Sequence, residues 1–206
     1  MKPENRLWNG PVLVLWTTLA VGAMVAAIWG AFHGAEPQAL RAIIRATART
    51  SLALYALGFA AGPLGTLVPG SFSKYLLKNR RYLGLSFGIS HLYHLAAILL
   101  LVLHGASGNL GGLAAILPGG FLYLWIFFMM ATSNDQAVRW LGARRWKRLH
   151  RVGTYLIFLG FLKGFGLPVA QDPLAYGPFF ALLLGLLGLR FAAWRASRNR
   201  AEPVPG

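Results

Sequence analysis

Six stretches of mostly apolar residues recur along the chain, separated by short basic or glycine-rich connections. They run over residues 11–32, 50–69, 82–104, 117–132, 149–167 and 176–194. A helix of about 20 apolar residues spans the hydrocarbon core of a bilayer, so each stretch predicts one spanning helix. The fourth is the shortest. Pro69-Gly70 closes the second, because neither residue continues a helix. The connections leave no room for a soluble domain. The expected fold is an all-α integral membrane protein, a six-helix transmembrane bundle forming a single membrane domain over residues 1–206, with residues 201–206 as a flexible tail.

Composition strengthens this reading. The chain has 206 residues, 56% hydrophobic and only 12% charged, and its mean hydropathy is +0.55. Soluble domains carry about 25% charged residues, so a soluble globular enzyme is excluded. There is no cysteine, which removes disulfides, iron–sulfur clusters, thiolate haem ligation and thiol catalysis. The first apolar stretch follows a short basic segment as a signal peptide would, but it is long enough to span and lacks a clear cleavage site before Glu36.

The net charge is +15, from 20 Lys and Arg against five acids. These cations sit between apolar blocks rather than on one soluble face, which reads as topology and not as a nucleic-acid site. Lys2, Arg6, Lys74, Lys78, Arg80 and Arg81 fall on one side of the predicted bundle. So do Arg139, Arg144, Arg145, Lys147, Arg148, Arg151, Arg190, Arg195, Arg198 and Arg200. Only Arg41, Arg45 and Arg49 face the other side. Cationic loops stay cytoplasmic, so both termini are expected in the cytoplasm of a bacterial-type inner (plasma) membrane, with the chain multi-pass. The three outer arginines recur every four residues and suggest one face of a short interfacial helix before the second span. Trp8, Trp140, Trp146 and Trp194 stand near the predicted membrane borders, where indole is favoured.

Histidine carries the chemistry. His91 and His94 lie three residues apart inside the third span, on one side of that helix. His104 ends the same span, and His150 opens the fifth. Ionisable groups at membrane depth are costly and mark function, although a single histidine also serves as an interhelical hydrogen bond. Iron ligation is the leading alternative: imidazole suits haem, and an apolar porphyrin fits between helices rich in Leu and Phe. Zinc suits the set less well, because no carboxylate or thiolate accompanies these histidines in the spans. Lys163 is the second anomaly. It either snorkels to the outer interface, or meets an anionic group such as a haem propionate or quinone oxygen, or binds iron when neutral.

Two motifs carry a resemblance. Arg80-Arg81-Tyr82-Leu83-Gly84-Leu85 followed by His94-Leu95 resembles the third helix of the ferric-reductase-like transmembrane domain family, in its bacterial MsrQ/YedZ-like branch. Thr132-Ser133, then Trp146-Lys147-Arg148-Leu149-His150-Arg151 and Tyr155, is similar to the start of that family's fifth helix. The likeness covers roughly residues 50–167. It implies a b-type cytochrome whose haem is held by histidines of the third and fifth helices. His94 then matches the third-helix ligand and His150 the first fifth-helix one. Many members carry a second fifth-helix histidine thirteen residues later, where this chain has Lys163, so the chain is a divergent member. At about 1.5 Å per residue, His94 lies about 20 Å above Arg81 and His91 about 15 Å. His150 lies about 9 Å above Arg144 by the same rise. A His91–His150 pair is thus closer in depth than His94–His150, and the ligand set is His150 with His91 or His94.

The expected function is a b-type cytochrome-like subunit passing electrons through haem b, one or two in number. It would be the membrane electron-transfer component of an oxidoreductase. Arg80, Arg81, Arg148 and Arg151 would pair with haem propionates or attract an acidic reductase. Tyr93, Trp125, Phe127, Phe128 and Tyr155 line a conceivable electron route or simply pack. No glycine-rich nucleotide fingerprint stands between a strand and a helix, and no cytoplasmic stretch is long enough for a flavin site. Electrons must then come from a separate reductase or from a quinol, with the acceptor open. The competing class is a haem-free small membrane transporter or assembly partner, supported by Lys163 and by Gly58, Gly62 and Gly65 in the second span.

Overall fold

Proline, glycine and small polar caps set the helix boundaries. The computed structural model describes residues 9–33, 36–105 and 112–200, and these are helical apart from their connections. Helix α1 (Pro11–Ala31) starts on a proline, which needs no hydrogen-bond partner for its nitrogen in a first turn; Gly10 precedes it at φ 65°. Helix α2 (Glu36–Leu67) and helix α3 (Ser71–Leu103) are separated by the Pro69-Gly70 break. Ser73 Oγ accepts the Gly70 N–H at 2.9 Å and donates to the Val68 carbonyl at 2.9 Å, which fixes this reversal.

Helix α4 (Gly112–Ala131) ends at Thr132-Ser133, and Asn134 caps a short helix α5 (Asp135–Leu141) by accepting the Ala137 N–H at 2.7 Å. Gly142, at φ 77°, turns the chain into helix α6 (Ala143–Gly166). After a 3-10 turn at Leu167–Ala170, Asp172 caps helix α7 (Pro173–Asn199) through the Ala175 N–H.

Among the described residues, five helices are long and apolar enough to cross a membrane; α4 contributes a shorter apolar stretch, Leu117–Ala131. Helix α1 buries only Val21 and exposes Leu15, Trp16 and Leu19, as a helix facing lipid does. The interfacial helix expected around Arg41, Arg45 and Arg49 is instead the first turns of α2 itself. At 32 and 33 residues, α2 and α3 are each close to 50 Å long, against about 30 Å of hydrocarbon, so their polar ends continue as helix beyond it. Lys2, Arg6, Trp8, the 106–111 connection and the expected tail at residues 201–206 lie outside the described residues.

The core is aromatic. Tyr55 and Phe59 of α2, Phe87 of α3, and Phe158, Phe161 and Phe165 of α6 pack with Ile126, Ile157, Leu183 and Leu186. Between α2 and α3 the contact is a seam of small polar groups. Ser51 Oγ donates to Ser90 Oγ at 2.9 Å, and one turn away Thr47 meets His94. Such groups join helices where lipid offers no hydrogen-bond partner. Near the start of α1, buried Asn79 accepts the Gly10 N–H at 2.9 Å and donates to Asn9 Oδ1 at 2.8 Å. At the far end His104 Nε2 meets Glu36 Oε2 at 2.7 Å, tying the end of α3 to the start of α2.

Candidate functional site

The sequence-predicted histidines fall into two cavities. The first, of about 650 Å³, lies where α2, α3, α4, α6 and α7 meet. His150 lines it together with Lys78, Arg80, Arg81, Lys147, Arg151 and Arg190, over an apolar floor that includes Phe59, Phe87 and Met129. Among the described residues, no carboxylate lines it. Arg81 is anchored at its rim: Nε donates to the Ser133 carbonyl at 2.6 Å and Nη1 pairs with Asp135 at 2.8 Å. Arg190 lies over the Phe59 ring at 4.0 Å and donates to Tyr155 Oη at 2.5 Å.

The second cavity, of about 370 Å³, holds His91 and His94 of α3 with Tyr123, Arg45, Arg49 and Tyr176. On each helix the lining shifts from one cavity to the other along the axis: Leu54–Phe59 to Ile44–Arg49 on α2, and Trp146–Tyr155 to Gly160–Phe165 on α6. The cavities therefore occupy opposite halves of the bundle. Ile126 and Ile157 line both.

His150 is thus not brought together with His91 or His94, and the expected shared slot is divided in two. The depth arithmetic counted each imidazole from an arginine on its own helix, and such a count does not fix how far the two helices are offset. Arg80, Arg81 and Arg151 do join His150. Lys163 lines neither cavity and is exposed on α6. Phe158, Phe161 and Phe165 set the buried face of that helix, and residue 163 lies about 200° around from residue 161 at 100° per residue.

The three imidazoles differ in their partners. His94 Nδ1 is 3.0 Å from the Ile44 carbonyl and 3.1 Å from Thr47 Oγ1. A carbonyl can only accept, so Nδ1 carries the hydrogen and Nε2 keeps its lone pair. His91 stacks on His94 with centroids 5.0 Å apart, and its Nδ1 is buried without a hydrogen bond. His150 Nε2 meets Thr132 Oγ1 at 3.0 Å, while that hydroxyl sits 2.6 Å from the Phe128 carbonyl. With the hydroxyl hydrogen on the shorter contact, Nε2 is the donor and Nδ1 the free nitrogen.

Several contributors escaped the sequence reading. Trp146, expected at a membrane border, packs on His150 at 4.3 Å and donates to the Thr132 carbonyl at 2.8 Å. Tyr155, one of the rings expected along an electron route, lines the basic cavity and contacts Phe59, and further rings run between the two cavities. His91 contacts Phe87 at 5.2 Å and Phe161 at 5.8 Å, and both contact Tyr55, at 5.7 and 5.3 Å. Phe127 and Phe128 are exposed. The spacing of Tyr55 and Phe59, four residues apart on α2, was the signal available in the sequence.

The sequence has relatives. The heme-binding subunit MsrQ of protein-methionine-sulfoxide reductase from Ralstonia nicotianae is 30% identical over 199 residues, covering 92% of this chain and 88% of that protein. The chain belongs to the MsrQ family. The MsrQ heme-binding subunit from Azospira oryzae is 28% identical over 180 residues, covering 84% of this chain and 75% of that one. No family model matches the chain, and no solved structure does. As an MsrQ-family member with several described helices of spanning length and hydropathy, it is a multi-pass protein of the bacterial inner membrane.

Proposed function

We propose that the chain is a haem-carrying electron-transfer subunit of a membrane-associated methionine sulfoxide reductase. The observation that carries this reading is the likeness, along nearly the whole chain, to subunits named as heme-binding parts of that enzyme. The cavities support it in kind. Each has a volume within the ~300–1,000 Å³ of ordinary ligand pockets, and each offers imidazole beside aromatic walls. A porphyrin brings an apolar face, two carboxylates and an iron that accepts imidazole. Among the described residues, the basic cavity holds cations and no lining carboxylate, and the buried Nδ1 of His91 lacks a partner.

In this reading His94 would hold a haem b in the second cavity and His150 one in the basic cavity. Arg80, Arg81 and Arg151 would balance propionate charge. Bound haem supplies one-electron oxidation and reduction. The protein's part is to fix the imidazoles, to keep water from them with Phe87, Phe161 and Tyr55, and to set local charge. The basic cavity lies on the cytoplasmic side, both termini included, because most cations gather there. A separate reductase or a quinol delivers electrons, and the catalytic reductase subunit receives them.

The test is to purify the full chain in detergent from haem-replete cells and record oxidised and reduced visible spectra. A reduced b-type spectrum, diminished by His94→Ala and by His150→Ala, is expected. A chain that binds no haem under those conditions overturns the reading and returns the haem-free transporter or assembly partner.

A further inference from the structure

We infer that Thr47 is a positioning residue for the His94 imidazole, holding it as the Nδ1–H tautomer with Nε2 presented for ligation. The inference rests on the haem reading and concerns which of two adjacent histidines is prepared for the iron, and by what.

Thr47 lies on α2, fully buried, facing α3. Its hydroxyl donates to the Ile43 carbonyl at 2.7 Å. That bond uses its one hydrogen, so the oxygen can only accept from His94 Nδ1 at 3.1 Å. The Ile44 carbonyl, at 3.0 Å, accepts from the same nitrogen. Both groups facing Nδ1 are acceptors, and both come from one turn of α2. The imidazole is therefore held in tautomer and in ring direction by a helix other than its own.

His91 has no such support. It lies one turn away on α3 and lines the same cavity, yet its Nδ1 is buried with no hydrogen-bond partner. Metal-ligating histidines almost always donate their second ring N–H to a carbonyl, carboxylate or water, which fixes orientation and raises ligand basicity. Of these two histidines, His94 meets that condition. His150 is held through its other ring nitrogen, Nε2, by the Thr132 hydroxyl. Thr47 thus separates two histidines that look equivalent in the sequence.

Thr47→Val keeps the side-chain shape and removes the acceptor, leaving Ile44 alone on Nδ1; Thr47→Ser keeps the hydroxyl. Losing such a supporting contact typically costs ten- to a hundredfold in metal affinity. Thr47→Val is expected to lower haem affinity by roughly tenfold or more and to raise the midpoint potential. Thr47→Ser should restore both. In a His94→Ala background Thr47→Val should change nothing further, whereas a residue that merely packs would act in either background. His91→Leu should keep the spectrum that depends on Thr47.

Haem-free protein labelled with ¹⁵N-histidine gives a second readout: imidazole shifts should place the His94 hydrogen on Nδ1. Unchanged affinity and potential in Thr47→Val overturn the inference while leaving haem binding intact. So does an equal effect with and without His94, or a His94 hydrogen on Nε2. A wild-type chain without haem is a different failure, that of the functional reading, and it removes this inference as well.

Discussion

His91 and His94 stack with their ring centroids 5.0 Å apart, yet only His94 has its Nδ1 hydrogen engaged, by the Ile44 carbonyl and Thr47. Two imidazoles on one face of one helix are thereby given different work. The difference comes from α2, which is why spacing along α3 alone cannot reveal it.

Because His94 and His150 line separate cavities, their losses should be independent. His94→Ala and His150→Ala are each expected to remove part of the haem, and the double variant to remove the sum. Haem-to-protein ratios from the pyridine haemochrome would decide. Complete loss from either single variant would mean that both imidazoles share one iron.

Lys163→Ala should leave haem content and midpoint potential unchanged, since the side chain is exposed and outside both cavities. Lys163→His should likewise add no ligand. A gain of haem in Lys163→His, measured by the Soret band per protein, would show that α6 is rotated from the orientation described above.

Gly153 marks the close approach of α4 and α6. A Cβ there would collide with Met129 Sδ and come within 3.3 Å of the Trp125 ring. Gly153→Leu is expected to destabilise the bundle by about 1–3 kcal/mol, as overpacking does, read as earlier thermal unfolding in detergent. Gly30→Leu is the control, because no atom lies within 4 Å of a Cβ at that position.

Asn79 is fully buried and accepts the Gly10 N–H that starts α1. Asn79→Ala leaves that donor without its partner, a loss of about 1–3 kcal/mol. Protease cleavage near residue 10 should speed up in the variant and stay slow in wild type. Equal rates would show that α1 is held by other contacts.

Much of the fold was legible as hydropathy, since each apolar stretch overlaps one of the helices. Their ends were not. Hydropathy reads the part of a helix that faces hydrocarbon, whereas the Arg41–Arg49 turns of α2 and the Lys74–Arg81 turns of α3 are helical and polar. Helix α5, with seven residues and no buried side chain, had no apolar pattern to reveal it. At the site, residue types were readable and pairings were not. His150 joined the basic residues of its own motif, but its distance from His91 depends on how far α3 and α6 slide past one another. The outward direction of Lys163 was available from Phe158, Phe161 and Phe165.

Ile126 and Ile157, each 3–4% exposed, are common to both cavities. Where the two cavities adjoin, the walls they share are hydrocarbon. A dry boundary of that kind, set in a membrane, would carry more of the transmembrane voltage than a wet channel would. A charge passed across it would then feel part of the field, out of about 2.3 kcal/mol for each 100 mV over the whole membrane, so energising the membrane would favour one direction of transfer over the other.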